Sequence, residues 1–330
     1  MENSYQTIGV LGAGAWGTAL ALAAAQAGRD VMLCAREPDV VDSITATRQN
    51  RRFLPGVLLP EGLRATGDPA ALGESDAVLV VVSAQYLRAT LRAAKVHLRA
   101  GTPIVICSKG IELGTGKLLH EVVAEEAPEL EPAVLSGPSF ARDVAKGLPT
   151  AVAIAARLPV ARALQTAIAR PVFRPYATDD LVGVALGGAA KNVYAIACGI
   201  AEGAGLGESA RAALLARGFA ELLRLGARLG ARPETLMGLA GLGDLALSAT
   251  SRSSRNFDLG CRIGAGGAVV DDPDAPLAEG AATASALAER AVTEGVEMPL
   301  ADVVRDIIRG TRDVPSAIET LLGRSVRDEG

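Results

Sequence analysis

The chain has 330 residues, of which 49% are hydrophobic and 21% charged, and its formal net charge is −4. That is enough apolar side chain for two sizeable cores, and it excludes a disordered chain. The slight negative charge provides no global basic field for nucleic acid, so an anionic ligand has to be held by local cations.

The first element is an apolar run at residues 8–11, followed at once by glycines at Gly12, Gly14 and Gly17 and then by residues suited to a helix over 15–27. Strand, tight turn and helix in this order give GxGxxG its physical meaning. Gly12 takes a turn conformation denied to residues with a Cβ, Gly14 lets the backbone approach a pyrophosphate, and Gly17 lets the helix pack close to the strand. The phosphate then meets the free N–H groups at the helix N-terminus. Residues 30–34 (DVMLC) read as a second strand, with Arg36 and Glu37 just beyond. An acidic residue there holds the ribose 2′-hydroxyl of NAD, whereas an arginine accommodates the 2′-phosphate of NADP. Arg36 comes first, which favours NADP; Glu37 keeps NAD open.

Strand-like runs continue at 77–83, 103–107, 133–135, 150–155 and 173–176, with helix-like stretches up to residue 98 and over 117–126. Near-continuous Val/Ile/Leu strands alternating with helices predict an α/β fold, a doubly wound parallel sheet of Rossmann type covered on both faces. From about residue 181 strand-like runs largely disappear, and helix-spaced leucines mark 208–229, with further helical stretches at 277–293 and 300–308. The expected organisation is a dinucleotide-binding domain over 1–180 and an all-helical domain over 181–330. Residues 264–276, rich in Gly, Asp and Pro, read as a surface loop.

Cys34, Cys107, Cys198 and Cys261 are widely separated and form no CxxC pair, so no metal site is expected and reduced thiols in a cytoplasm are. No cationic segment followed by an apolar run opens the chain, so no signal peptide is expected. The strongest apolar runs are strand-length, short of the ~20 residues of a membrane span.

The two histidines, His97 and His120, fall in expected surface helices, so acid–base chemistry needs another group. Lys191 is the best candidate. On a helix over 182–200, Val184, Gly187, Gly188 and Ala195 lie three, four or seven residues from it, a face of small groups that would admit a ligand. Desolvation there would bring its pKa down from ~10.4 toward the working range. A lysine snorkelling at a packing surface is the other reading. Three further stretches carry polar groups among small residues. Residues 108–112 (SKGIE) follow a strand end, where ligands bind open α/β sheets. Residues 136–144 (SGPSFARDV) offer backbone amides and Ser139 to an anion. Residues 238–256 gather Asp244, Ser248, Ser254, Arg255 and Asn256, with Arg255 presenting a planar fork suited to phosphate. Each, taken alone, also reads as a loop or a helix cap.

Together the motifs GAGAWGTALA at 12–21, SKGIE at 108–112, SGPSFA at 136–141, LGGAAKNVYAIACGIAEGAGLG at 186–207, GLGDL at 241–245, SRN at 254–256 and LAEG at 277–280 resemble, nearly end to end, the bacterial NAD(P)-dependent sn-glycerol-3-phosphate dehydrogenases. The resemblance implies a Rossmann domain followed by a helical domain like that of 6-phosphogluconate dehydrogenase. It further implies a cytoplasmic enzyme that reduces dihydroxyacetone phosphate reversibly to sn-glycerol 3-phosphate for phospholipid synthesis. By the same resemblance, Ala15, Trp16, Arg36, Ala141, Leu277 and Glu279 contact the cofactor, and Lys109, Gly137 and Ser139 line the junction of nicotinamide and substrate. Lys191 is the implied proton acceptor, with Asp244 nearby and Lys109 and Asn192 as partners. Ser248, Ser254, Arg255 and Asn256 would bind substrate, Arg255 also reaching the cofactor. Ser248 and Leu277 depart from the common family residues, threonine and valine. A homodimer is expected. Two rival readings are a related lysine-dependent dehydrogenase acting on another hydroxy acid and a non-catalytic NADP-sensing module.

Overall fold

A computed structural model describes residues 5–267 and 278–322. The chain begins with β1 (Thr7–Leu11), α1 (Ala15–Gln26), β2 (Asp30–Cys34), α2 (Pro38–Thr47), β3 (Leu63–Thr66), β4 (Ala77–Val80), α3 (Leu87–Ala94) and β5 (Pro103–Ile106). It continues through α4 (Leu119–Glu126), β6 (Glu131–Ser136), α5 (Ala141–Ala145), β7 (Thr150–Ala155), α6 (Leu158–Ile168) and β8 (Phe173–Thr178). The helical part comprises α7 (Leu181–Gly203), α8 (Gly207–Leu229), α9 (Pro233–Met237), α10 (Asp244–Ala249), α11 (Arg255–Gly264), α12 (Glu279–Thr293), α13 (Pro299–Ile308) and α14 (Val314–Leu322).

The strands form one eight-stranded sheet in the order β3-β2-β1-β4-β5-β6-β7-β8. β4 and β5 are buried along their whole length, as expected for strands covered by helices on both faces. The all-parallel expectation fails at one edge: β7 runs antiparallel to β6, and β8 is parallel to β7. The short α5 connection never carries the chain back across the sheet, and only such a crossover yields a parallel neighbour.

The regular apolar runs are where sequence and structure agree, β2 and β7 to the residue. The elements with weaker patterns, α2, β3 (LRAT), α6 and α14, carry no clear sequence signal. α11 was expected to be part of a polar segment and is a helix capped by the Ser254 hydroxyl, which accepts from the Phe257 N–H. α11 ends at Gly264, the first residue of the expected 264–276 loop; residues 265–267 are not helical, and residues 268–276 lie outside the described residues.

α7 is the centre of the helical part. At 23 residues, with a mean hydropathy of 1.5 in its most apolar window, it is long and apolar enough to cross a membrane, contrary to the sequence expectation that every apolar run is short. Inside the protein 83% of that window is buried, which is the ordinary reason for a helix apolar on all sides. Its partner α11 crosses it at backbone contact. A Cβ on Gly199 would stand 2.1 Å from the Phe257 carbonyl oxygen, and one on Gly203 2.1 Å from that of Cys261. From the other side, a Cβ on Gly260 or Gly264 would stand 2.2 Å from the Ile196 or the Ile200 carbonyl oxygen. Glycines four apart on both helices thus seat α11 directly on α7.

This contact predicts that Gly199→Ala destabilises the protein by ~1–3 kcal/mol or more through overpacking. Gly62→Ala, whose Cβ meets open space, should stay within ~0.5 kcal/mol of wild type. Urea denaturation of the two variants checks the difference.

Candidate active site

β1 delivers the chain into the glycine-rich turn, and two of its three glycines are required by the protein itself. Gly12 has φ +113° and a Cβ there would lie 2.7 Å from the Val81 carbonyl oxygen, while a Cβ on Gly17 would lie 1.8 Å from the Gly12 carbonyl oxygen. Gly14 differs. Its backbone is in the ordinary extended region and its Cβ would meet nothing within 4 Å. Only a ligand in the open space beside α1 gives that glycine a steric reason, so the turn fits a dinucleotide. Ala15 and Trp16 begin α1; Trp16 is half-buried, with its Nε1 buried and unpaired among the described residues.

Beyond β2, Arg36 is largely exposed and its guanidinium donates to the Glu37 carboxylate at 2.7 and 3.1 Å. The two candidate ribose contacts are therefore paired with each other, and Glu37 also stands at the N-cap of α2.

At the junction of the sheet and the helical part, three charged groups converge. Lys109 follows β5, Lys191 sits in the middle of α7, and Asp244 begins α10. A π-helical turn, Leu239–Gly243, leads into Asp244. That turn is possible because Gly241 lies against the Leu236 carbonyl oxygen, 1.9 Å from where a Cβ would be. Asp244 is 1% exposed and accepts from both lysines: Lys109 Nζ lies 2.5 Å from Oδ2, and Lys191 Nζ 3.0 Å from Oδ1. Lys191 also donates to Ser248 Oγ at 2.6 Å, and Lys109 to the Gly137 carbonyl at 3.1 Å.

The electrostatics follow from this geometry. Burial pushes the Lys191 pKa down to about 8; the Asp244 carboxylate opposes that shift, and the Lys109 ammonium adds to it. Burial pushes the Asp244 carboxyl up, but the two ammonium groups outweigh it and hold it below the usual carboxylate range. One carboxylate between two ammonium groups leaves the cluster with one uncompensated positive charge when both lysines are protonated. Such a site attracts an anion, and its lysine can gain or lose a proton near neutral pH.

Around the cluster the amides are in register. Asn192 Nδ2 donates to the Lys109 carbonyl at 3.2 Å, Asn256 Nδ2 donates to Asn192 Oδ1 at 2.9 Å, and the Gly280 N–H donates to Asn256 Oδ1 at 3.0 Å. This chain of bonds joins the β5 loop, α7, α11 and α12. Ser254 and Asn256 are buried at the start of α11, and Arg255 between them is exposed. Gly137, with φ +153° and no room for a Cβ against Val152, accepts at its carbonyl from Ser139 Oγ as well as from Lys109. Ala141 opens α5.

Not every expectation survives. The small face of α7 does not admit a ligand: a Cβ on Gly187 would meet the Ala240 carbonyl oxygen at 2.7 Å, and one on Gly188 would meet Ser136 Oγ at 2.4 Å. Those glycines admit protein, and the α7 groups that reach the site are the Lys191 ammonium and the Asn192 amide. His97 is exposed, but His120 packs inward, with its Nδ1 buried and unpaired among the described residues and its pKa lowered by desolvation. Glu279 Oε1 accepts from the Ala84 N–H at 3.1 Å, tying α12 to the turn after β4. Ala84 was not anticipated, since a backbone donor leaves no residue-type signal. Leu277 lies outside the described residues.

Comparison with known proteins identifies the family. Residues 7–160 match the model for the NAD-dependent glycerol-3-phosphate dehydrogenase N-terminus and residues 180–319 that for its C-terminus. The chain is 51% identical to a glycerol-3-phosphate dehydrogenase [NAD(P)+] of Parvibaculum lavamentivorans, over all of both chains, and 53% identical to one of Rhodospirillum rubrum, over all of this chain and 96% of that one. The crystal structure of glycerol-3-phosphate dehydrogenase from Coxiella burnetii superposes with a TM-score of 0.90 at 40% identity, covering 97% of this chain and 99% of that one. With a Rossmann-type sheet followed by a helical domain, and with both family models matched in order, the chain belongs to the NAD-dependent glycerol-3-phosphate dehydrogenase family.

Proposed function

We propose that the protein is a glycerol-3-phosphate dehydrogenase that reduces dihydroxyacetone phosphate reversibly to sn-glycerol 3-phosphate with NAD(P)H, with Lys191 as the proton donor and acceptor. The observation that carries this reading is the buried Lys191 ammonium, held by Asp244 and Ser248 and brought to a pKa of about 8. The full-length likeness to glycerol-3-phosphate dehydrogenases supports the choice of substrate.

Residues 1–180 are the cofactor domain and 181–330 the substrate domain. Gly12, Gly14, Ala15, Trp16, Gly17, Arg36, Lys109, Ala141, Arg255 and Glu279 hold the cofactor, and a bound nicotinamide supplies or takes up the hydride. NADP is favoured over NAD because Arg36 comes first after β2 and is largely exposed. Ser254, Arg255 and Asn256 grip the substrate phosphate: Arg255 is a cation at the first position of α11, where a helix N-terminus alone would prefer an anion. Gly137 and Ser139 line the remaining wall.

In the reducing direction, protonated Lys191 donates to the oxygen that develops negative charge. Lys109, paired with Asp244, is placed to stabilise that charge. Asp244 keeps Lys191 protonated up to near neutral pH, and Ser248 fixes the direction of its ammonium. In the oxidising direction neutral Lys191 takes the hydroxyl proton. The reading includes a cytoplasmic homodimer feeding phospholipid synthesis; the four free cysteines, all buried, suit a reducing compartment.

Lys191→Ala should lower turnover by at least ~100-fold with cofactor affinity little changed, as steady-state kinetics and cofactor titration will show. Wild-type reduction needs the ammonium, so kcat/KM should hold below and fall above a pH of about 8. Asp244→Asn removes the anion that favours the charged form and should move that fall to lower pH. With cofactor saturating, Arg255→Leu should raise KM for dihydroxyacetone phosphate strongly and leave unphosphorylated dihydroxyacetone unaffected. The ratio of kcat/KM for NADPH and NADH decides between Arg36 and Glu37: a ratio well above one assigns the ribose pocket to Arg36.

A further inference from the structure

Asn50 lies in the loop after α2, and no pattern in the sequence draws attention to it. Its side chain is wholly buried. Nδ2 donates to the Ala13 carbonyl and to Thr18 Oγ1, each at 2.8 Å, and Oδ1 accepts from the Phe53 N–H at 3.1 Å. Thr18 Oγ1 adds a weaker bond to the same Ala13 carbonyl at 3.3 Å. Both amide protons of Asn50 are thus spent on the glycine-rich turn and the helix that follows it.

A trans peptide is planar, so its C=O and N–H point in opposite directions. Drawing the Ala13 carbonyl inward therefore turns the Gly14 N–H outward, and no backbone group among the described residues accepts from it. Gly14 is also the residue whose missing Cβ opens onto empty space at the N-cap of α1. Flipping it would turn ψ of Ala13 and φ of Gly14, and Gly14, without a Cβ, can take the positive φ that results. A flipped peptide would present a carbonyl oxygen to a pyrophosphate and repel it.

Building on the dinucleotide-binding reading above, we propose that Asn50 is a positioning residue that locks the Ala13–Gly14 peptide so that the Gly14 N–H faces the cofactor pyrophosphate. Asn50 touches no ligand in this role. It acts through one carbonyl.

The test is equilibrium binding of NADPH, NADH and ADP-ribose to wild type and to Asn50→Asp, which keeps the shape but loses both donors. Affinity for all three should fall ~10-fold or more, the scale of one lost hydrogen bond to a charged group. With saturating cofactor, kcat and the KM for dihydroxyacetone phosphate should stay within ~2-fold. Thr18→Val, which leaves the bond from Asn50 to Ala13 in place, should change affinity by less than ~3-fold. Should Asn50→Asp fail to fold, Asn50→Ala takes its place with the same expectation. Unchanged affinity in the folded Asn50 variant overturns the proposal, as does lost kcat at saturation with unchanged affinity. Wild type that binds none of the three ligands would instead overturn the dinucleotide reading itself.

Discussion

The structure depends on one buried carboxylate. Asp244 is withdrawn from water and would be strongly disfavoured there alone, yet it accepts from two ammonium groups brought from different parts of the chain. Lys109 comes from the end of a sheet strand and Lys191 from the middle of the central helix. The same contact therefore joins the two halves and, in the proposed mechanism, sets the chemistry between them. Removing any one member leaves the others mismatched, which ties stability and reactivity to the same few atoms.

The central helix makes that contact reproducible. Lys191 can be placed at the junction because α7 is buried on nearly every side and pinned along its length. Its glycines seat α11 at backbone distance, and Gly187 and Gly188 bring it against the Ala240 carbonyl and Ser136. α11 in turn begins with Ser254, Arg255 and Asn256, and Asn256 bonds the residue next to Lys191. Close helix packing thus transmits its geometry to the polar end of the site through one amide pair.

The cofactor side uses the same economy of backbone. Gly12 and Gly17 are dictated by collisions within the protein, whereas Gly14 is free of any. The carbonyl beside it is held from behind by a buried amide, so the turn's shape is enforced by a loop some thirty-seven residues further on. Glu279 ties the helical part to the turn after β4 by a comparable side chain to backbone bond.

By itself the sequence determined what periodicity and steric identity can carry: the apolar strands, the glycine-rich turn, the change from strand to helix patterns near residue 181, and the lysine that acts as the reactive group in the proposed mechanism. Its ordered motifs also marked the family. Weakly patterned elements such as β3 and α6 stayed hidden because their side chains signal little until neighbours bury them. The tertiary structure alone decided the reversal of β7, which turns on where a short connection leaves the chain, and the pairing of Lys109 and Lys191 on one carboxylate. It also decided that the small face of α7 receives protein rather than ligand, and which backbone groups Asn50 and Glu279 reach. Hydrogen bonds to backbone atoms are made by position, and position over long sequence separations is set by packing rather than by residue type.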